Sequence, residues 1–152
     1  MGIYCDVCIL RSRYWVSSGK ADLIPYNEKW LSSVALIIET MTTQQLSSAE
    51  DASRPDGPAY NFQRDTTQPT DTLNHGSGWP AAHTGMIKSA FRGSDDACKF
   101  NFNIPENAMA VVALREVASL LSSLAKTMPL AGVLAVRPCC LLIINGVNVS
   151  AC

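Results

Sequence analysis

Two adjacent carboxylates, Asp95 and Asp96, end a run that also holds Arg92 and Ser94: Phe91-Arg92-Gly93-Ser94-Asp95-Asp96-Ala97. Neighbouring carboxyls repel each other's charge, and burial adds to that, so one of them can keep its proton to a higher pH than a lone carboxyl does. Such a group can protonate a leaving oxygen, while Arg92 orients hydroxyls or holds the second carboxylate ionised. The same letters fit another arrangement, with Ser94 capping a helix whose first turn carries both aspartates, worth about 1 kcal/mol in all. Spacing alone leaves both open. A second candidate chemistry lies near the start, where Cys5-Asp6-Val7-Cys8 has the spacing of half a zinc site or of a redox pair. Cys139 and Cys140 are adjacent and do not supply a second half, and His75 and His83 lie in what reads as loop. Scattered thiols account for this pattern, with a small cysteine-based metal or redox module as the rival. No metal site and no cofactor are expected.

The elements that must carry these groups are helical. Trp30, Val34, Ile37, Ile38 and Met41 recur at steps of three and four, which predicts a helix from Pro25 to Gln45. A second is expected from Pro105 to Lys126, with Asn103 as a possible cap, Pro105 in the first turn and Glu106 near the positive end of the helix dipole. Its body, Ala108 to Leu114, is apolar all round and so is buried on more than one side. Glu39 and Glu116 are read as solvated. A shorter helix is placed around Tyr14 and Trp15, ending near Gly19. No β-hairpin is evident in the first two-thirds of the chain. Between the two main helices run roughly sixty residues rich in Ser, Thr, Asp, Asn, Gly and Pro, a length that is either disordered or functional. Interspersed aromatics (Tyr60, Phe62, Trp79, Phe91, Phe100, Phe102) together with Arg64, Asp71, His75, Arg92, Asp95 and Asp96 favour function.

Composition narrows the classes. A chain of 152 residues with 47 % apolar residues holds enough material for one core. Only 16 % of residues are charged, against about 25 % in an ordinary domain, which suits a segment lying against other protein. The net charge of −1 gives no support for binding nucleic acid or anionic membranes. Met1 to Leu10 lacks the pattern of a signal peptide. Leu130 to Val149 is interrupted by Arg137-Pro138 and is not expected to span a membrane. The tail from Ala131 to Cys152 changes character. Cys139 to Gly146 could form a strand ending in an Asn-Gly turn, and Asn148-Val149-Ser150 fits the glycosylation sequon.

The run Thr84-Gly85-Met86-Ile87-Lys88-Ser89-Ala90-Phe91-Arg92-Gly93-Ser94-Asp95-Asp96-Ala97 resembles the signature T-G-M-I-x-S-A-F-R-P-S-D-D-A of the metal-independent α-mannosidases, glycoside hydrolase family 125. Tyr60 to Arg64 is similar to that family's Y-x-F-Q-R, and Asp71-Thr72-Leu73 to the D-T-L after it. Gly76, Gly78 and Pro80 resemble its G-x-G-x-P turn. Phe102 to Asn107 resembles its segment ending I-P-x-N, which opens a helix. The resemblance covers residues 13–127 and departs at Gly93, where the family has proline. It implies an all-α fold built on a ring of paired helices, (α/α)6. A chain this short is expected to form only a partial toroid, with the long loop between helices carrying function. Residues 13–130 are read as belonging to the hydrolase domain and 131–152 as a divergent tail.

The resemblance also implies an exo-acting, inverting, metal-independent α-mannosidase that prefers α-1,6 linkages in mannose-containing oligosaccharides. Inversion needs a carboxylic acid and a carboxylate roughly 6.5–9.5 Å apart across the sugar ring. Adjacent residues cannot flank a ring in that way. Asp95 and Asp96 are therefore candidates for the acid and its neighbour, Asp95 slightly favoured as the acid, with the base expected from a C-terminal half of the domain that has no counterpart here. Arg92, Arg64, Ser94, Phe91 and Trp79 are the candidate substrate-binding residues. Arg64 could instead brace the loop, and Phe91 and Trp79 could serve packing. The alternative to a hydrolase segment is a catalytically inactive remnant that binds sugar.

Overall fold

The computed structural model describes residues 28–127, together with residues 13, 14, 17 and 18, which are helical. Among the described residues from 28 onward, three α-helices are formed: α1 (Glu28–Thr43), α2 (Ser48–Ala52) and α3 (Ile104–Thr127). Two 3₁₀ turns, Pro69–Asp71 and Asn74–Gly76, lie in the long connection between α2 and α3. Among the described residues there is no strand, only an isolated antiparallel bridge between Phe91 and Ala97. The fold of this region is all-α. Cys5, Cys8 and the segment from Leu130 onward lie outside the described residues.

The periodicity of α1 does what its spacing predicts. Trp30, Val34, Ile37, Ile38 and Met41 are all buried, and Glu39 is exposed. They pack with Val111, Leu114, Val117, Leu120 and Leu121 of α3 into one core, and Ile87 of the connecting loop joins them. Burying Leu120 and Leu121 completely makes each worth roughly 2–5 kcal/mol against alanine. α3 is long and apolar enough between Ile104 and Leu124 to cross a membrane by length and composition, yet 56 % of that stretch is buried inside the protein. Its buried face is that of a core helix. Met109 and Val112 are exposed on the other face, so the helix is buried broadly but not all round. Glu116 departs from the solvated reading. It is half-buried, and Oε2 is sequestered with no hydrogen-bond partner among the described residues.

The short α2 is held at its start by a capping box. Ser47 Oγ accepts the Glu50 amide, and Glu50 Oε2 accepts the Ser47 N–H at 2.7 Å. The Ser47 hydroxyl and amide hold the Glu50 carboxyl below its ordinary range. Ser48 then pairs with Ala81 through N–H to carbonyl at 2.9 Å, and Ser48 Oγ accepts the Ala81 N–H at 2.9 Å. This ties the loop back onto the helices, so the long connection follows a fixed path over them.

Candidate active site

The acid run is a hairpin rather than a capped helix. Ser89 N–H donates to the Asn101 carbonyl, Cys98 N–H to Ala90 and Arg92 N–H to Asp96, forming three rungs of 2.8, 2.8 and 2.9 Å. At the tip, Asp95 N–H returns to the Arg92 carbonyl at 2.9 Å, and Asp95 takes a left-handed backbone, φ 70°. This is a three-residue loop, a tight turn followed by a glycine-type β-bulge, with aspartate where glycine usually sits. Ser94 therefore caps no helix, and a hairpin exists where the letters gave no sign of one. The usual Asn-Gly or Asp-Gly turn is missing, and the arms do not alternate in polarity.

Ser94 Oγ donates to Asp96 Oδ2 at 2.6 Å, which fixes that carboxylate as an acceptor. The Asp95 carboxyl accepts no hydrogen bond among the described residues. Both aspartates and Arg92 are exposed, and Arg92 forms no ion pair with either aspartate among the described residues. Arg92 instead casts its charge on Cys98. Burial pushes the Cys98 thiol up, and Arg92 draws it partly back.

The base of the hairpin is clamped to the start of α3. Asn107 is 2 % exposed and grips the Ile87 peptide on both sides. Its Oδ1 accepts the Ile87 N–H at 2.8 Å, while Nδ2 donates to the Ile87 carbonyl at 3.1 Å and to Asn103 at 2.9 Å. The Asn103 carbonyl also takes the Asn107 amide at 3.0 Å, placing Asn103 at the cap. Ser89 Oγ donates to Glu106 Oε2 at 3.0 Å. In the letters Glu106 stands out only for its charge near the helix start, and the clamp made by Asn107, the last residue of the I-P-x-N block, leaves no sign there.

A second strand of support comes from residues 60–80. Phe62 meets Phe91 edge-on, with ring centroids 5.4 Å apart and planes at 85°. Arg64 lies 5.7 Å from the Phe62 centroid; its Nε donates to the Asp71 carbonyl at 2.8 Å and its guanidinium pairs with Asp71 Oδ2 at 3.8 Å. Arg64 thus braces the loop. Thr70 accepts the Ala97 N–H at 2.8 Å, joining this brace to the hairpin. Phe91 is half-buried in this packing, whereas Trp79 is 45 % exposed. Gly76 allows the close turn. Its φ is 80°, its carbonyl takes the Phe62 N–H at 2.8 Å, and a Cβ there would lie 2.5 Å from Asn61 Oδ1.

Among the described residues no three His, Cys, Asp or Glu side chains cluster as a metal would require. The described region is thus a helical scaffold that presents two adjacent carboxylates on a braced, aromatic-backed loop. The model for metal-independent alpha-mannosidases (GH125) matches residues 3–141, further at both ends than the motif blocks reach. The chain belongs to that family. The "Meiotically up-regulated gene 157 protein" of Schizosaccharomyces pombe is 37 % identical over 113 residues, covering 72 % of this chain and 22 % of that protein. A metal-independent alpha mannosidase of Streptococcus pneumoniae, solved in a non-productive complex with alpha-1,6-mannobiose, superposes with a TM-score of 0.76 at 29 % identity. That likeness covers 95 % of this chain and 31 % of the other. The chain spans less than a third of either relative.

Proposed function

We propose that this chain forms the general-acid side of an exo-acting, inverting α-mannosidase with a preference for α-1,6 linkages, in a partial (α/α)6 toroid. Asp95 is the acid, and Asp96, held by Ser94, orders the loop and binds hydroxyls beside Arg92. The observation that carries this reading is the pairing at the hairpin tip: one carboxylate tied to Ser94, the other unengaged among the described residues and set on a strained backbone. Strain retained in a sparsely populated conformation marks positions where function outweighs local stability. Arg64 contributes by bracing, and Phe91 by backing the loop. The base comes from protein beyond this segment, because adjacent residues cannot stand on opposite faces of a sugar.

The test is a chimera in which residues 28–127 replace the matching segment of the Streptococcus pneumoniae enzyme. It is expected to cleave α-1,6-mannobiose, with the first product seen by proton NMR as the inverted anomer, at a rate unaltered by chelators. A folded chimera that releases the retained anomer, or none, overturns the reading.

A further inference from the structure

The first arm of the acid hairpin is gripped from two sides. Ile87 and Ser89 are held from α3, by Asn107 Oδ1 and Glu106 Oε2. Lys88, between them, turns to the other helices. Its N–H donates at 3.0 Å to the carbonyl of Gln44, just past the end of α1, and its Nζ stands 3.7 Å from Asp51 Oδ2 of α2. We infer that Lys88 is a positioning residue, whose ammonium, paired with Asp51, fixes the hairpin against α2 and so aims Asp95. The inference rests on the reading of Asp95 as the acid.

The pair is built to hold a position. The two side chains are 11 % and 12 % exposed, so solvent and salt screen their attraction little. Asp51 is itself fixed: Oδ1 accepts the Ala59 N–H at 3.1 Å, and Arg54 Nε lies 3.9 Å from the same oxygen. α2 is pinned in turn by its capping box and by the two hydrogen bonds between Ser48 and Ala81. A buried ion pair adds little net stability, because desolvation offsets attraction, yet parting it strands a charge. It therefore resists displacement of the arm more than it stabilises the fold.

Lys88 and Asp51 both line a cavity of about 30 Å³, the size of a water site, and neither Asp95 nor Asp96 borders it. Lys88 thus acts through the arm rather than on substrate. From Lys88 the chain runs directly into the ladder that ends at the tip, through Ser89 to Asn101, Cys98 to Ala90 and Arg92 to Asp96. A tilt at the foot is carried to Asp95.

The experiment uses the chimera with two substrates, α-1,6-mannobiose and a mannoside with a very good leaving group. Lys88→Met keeps the apolar stem and removes the charge, while Asp51→Asn keeps the shape of its partner; circular dichroism checks the fold of each. Both are expected to lower kcat on mannobiose by about 10–100-fold, the effect of misplacing a reacting group by about 1 Å. KM should stay within about twofold, because ground-state binding is untouched. The good leaving group needs little protonation, so its rate should stay within about threefold. The double variant should lose no more than either single one, since the two residues act as a unit. Equal losses on both substrates, an unchanged rate on mannobiose, or additive losses in the double variant overturn the inference. The backbone resonances of Asp95 in the intact chain give a reading that needs no activity. Lys88→Met should move them and leave those of Leu120 and Leu121 in place; Asp95 resonances that stay put also overturn the inference. A chimera that cleaves neither substrate, in company with Asp95 resonances that do move, removes the hydrolase reading and leaves the anchoring of the hairpin standing.

Discussion

At the scale of single residues, the hairpin tip sets stability against chemistry. Asp95 occupies a left-handed position that glycine would fill at no steric cost. Asp95→Gly is therefore expected to raise stability by roughly 0.5–1 kcal/mol while removing the proposed acid; a thermal melt that falls instead would show that the carboxylate itself holds the turn. Gly93 is the converse case. It is the second residue of the turn closed between Arg92 and Asp95, its N–H makes no hydrogen bond among the described residues, and a Cβ there meets nothing within 4 Å. Proline is favoured at that place in a type I turn, and the family signature carries it. Gly93→Pro should stabilise by about 0.4–1 kcal/mol through the unfolded chain, read as a higher midpoint in urea. In the chimera, Asp95→Asn should abolish cleavage of mannobiose yet spare a substrate with a very good leaving group, which needs little protonation. Asp96→Asn should weaken both substrates alike. Near-normal rates on mannobiose in both variants would place the acid elsewhere. The carboxylate pair was visible in the letters, but its conformation was not, because nothing in Gly-Ser-Asp-Asp announces a bulge with aspartate in the left-handed position.

At the scale of elements, the helices were legible and their couplings were not. Periodicity gave α1 and α3 to within a few residues, since a buried stripe at steps of three and four is written directly in the chain. The clamp from Asn107 to Ile87 links positions twenty residues apart by side-chain hydrogen bonds, which leave no periodic trace. Asn107→Ala would strand the Ile87 N–H and carbonyl in the core, at a cost of about 1–3 kcal/mol for each group left unpaired. The expected signature is faster amide exchange at Ile87 and along the hairpin ahead of global unfolding. Unchanged exchange there would mean that α3 does not position the loop. The capping box of α2 adds a pH dependence. The Glu50 carboxyl lies below its ordinary value in the folded protein. Its contribution is therefore present above the ordinary glutamate range and is lost as pH falls through the lowered folded value. Glu50→Gln should flatten that acid limb in a series of melts.

For the whole molecule, the question is what the described scaffold leaves unfinished. Several of its carboxylates are committed: Glu50 to the capping box, Asp51 to Lys88, Asp71 to Arg64 and Glu106 to Ser89. The pair at the tip comes from consecutive residues, whose Cα atoms are about 3.8 Å apart, while inversion asks for carboxyls roughly 6.5–9.5 Å apart with a water between. Apolar side chains point outward as well, with Leu36 62 % and Phe100 75 % exposed, and Val112 and Met109 on the outer face of α3. The low charge content suggested such unfinished faces from composition alone; which residues form them required the packing of α1 on α3. Two results are therefore expected of the pure 152-residue chain. It should associate with itself as concentration rises, read by sedimentation, because apolar faces of this kind seek cover. It should also release no measurable mannose from α-1,6-mannobiose, since a lone general acid supplies only about 10²–10⁴-fold. Clear turnover by a monodisperse monomer would show that acid, base and sugar-binding groups all lie within these residues, and that the partial toroid is the wrong description.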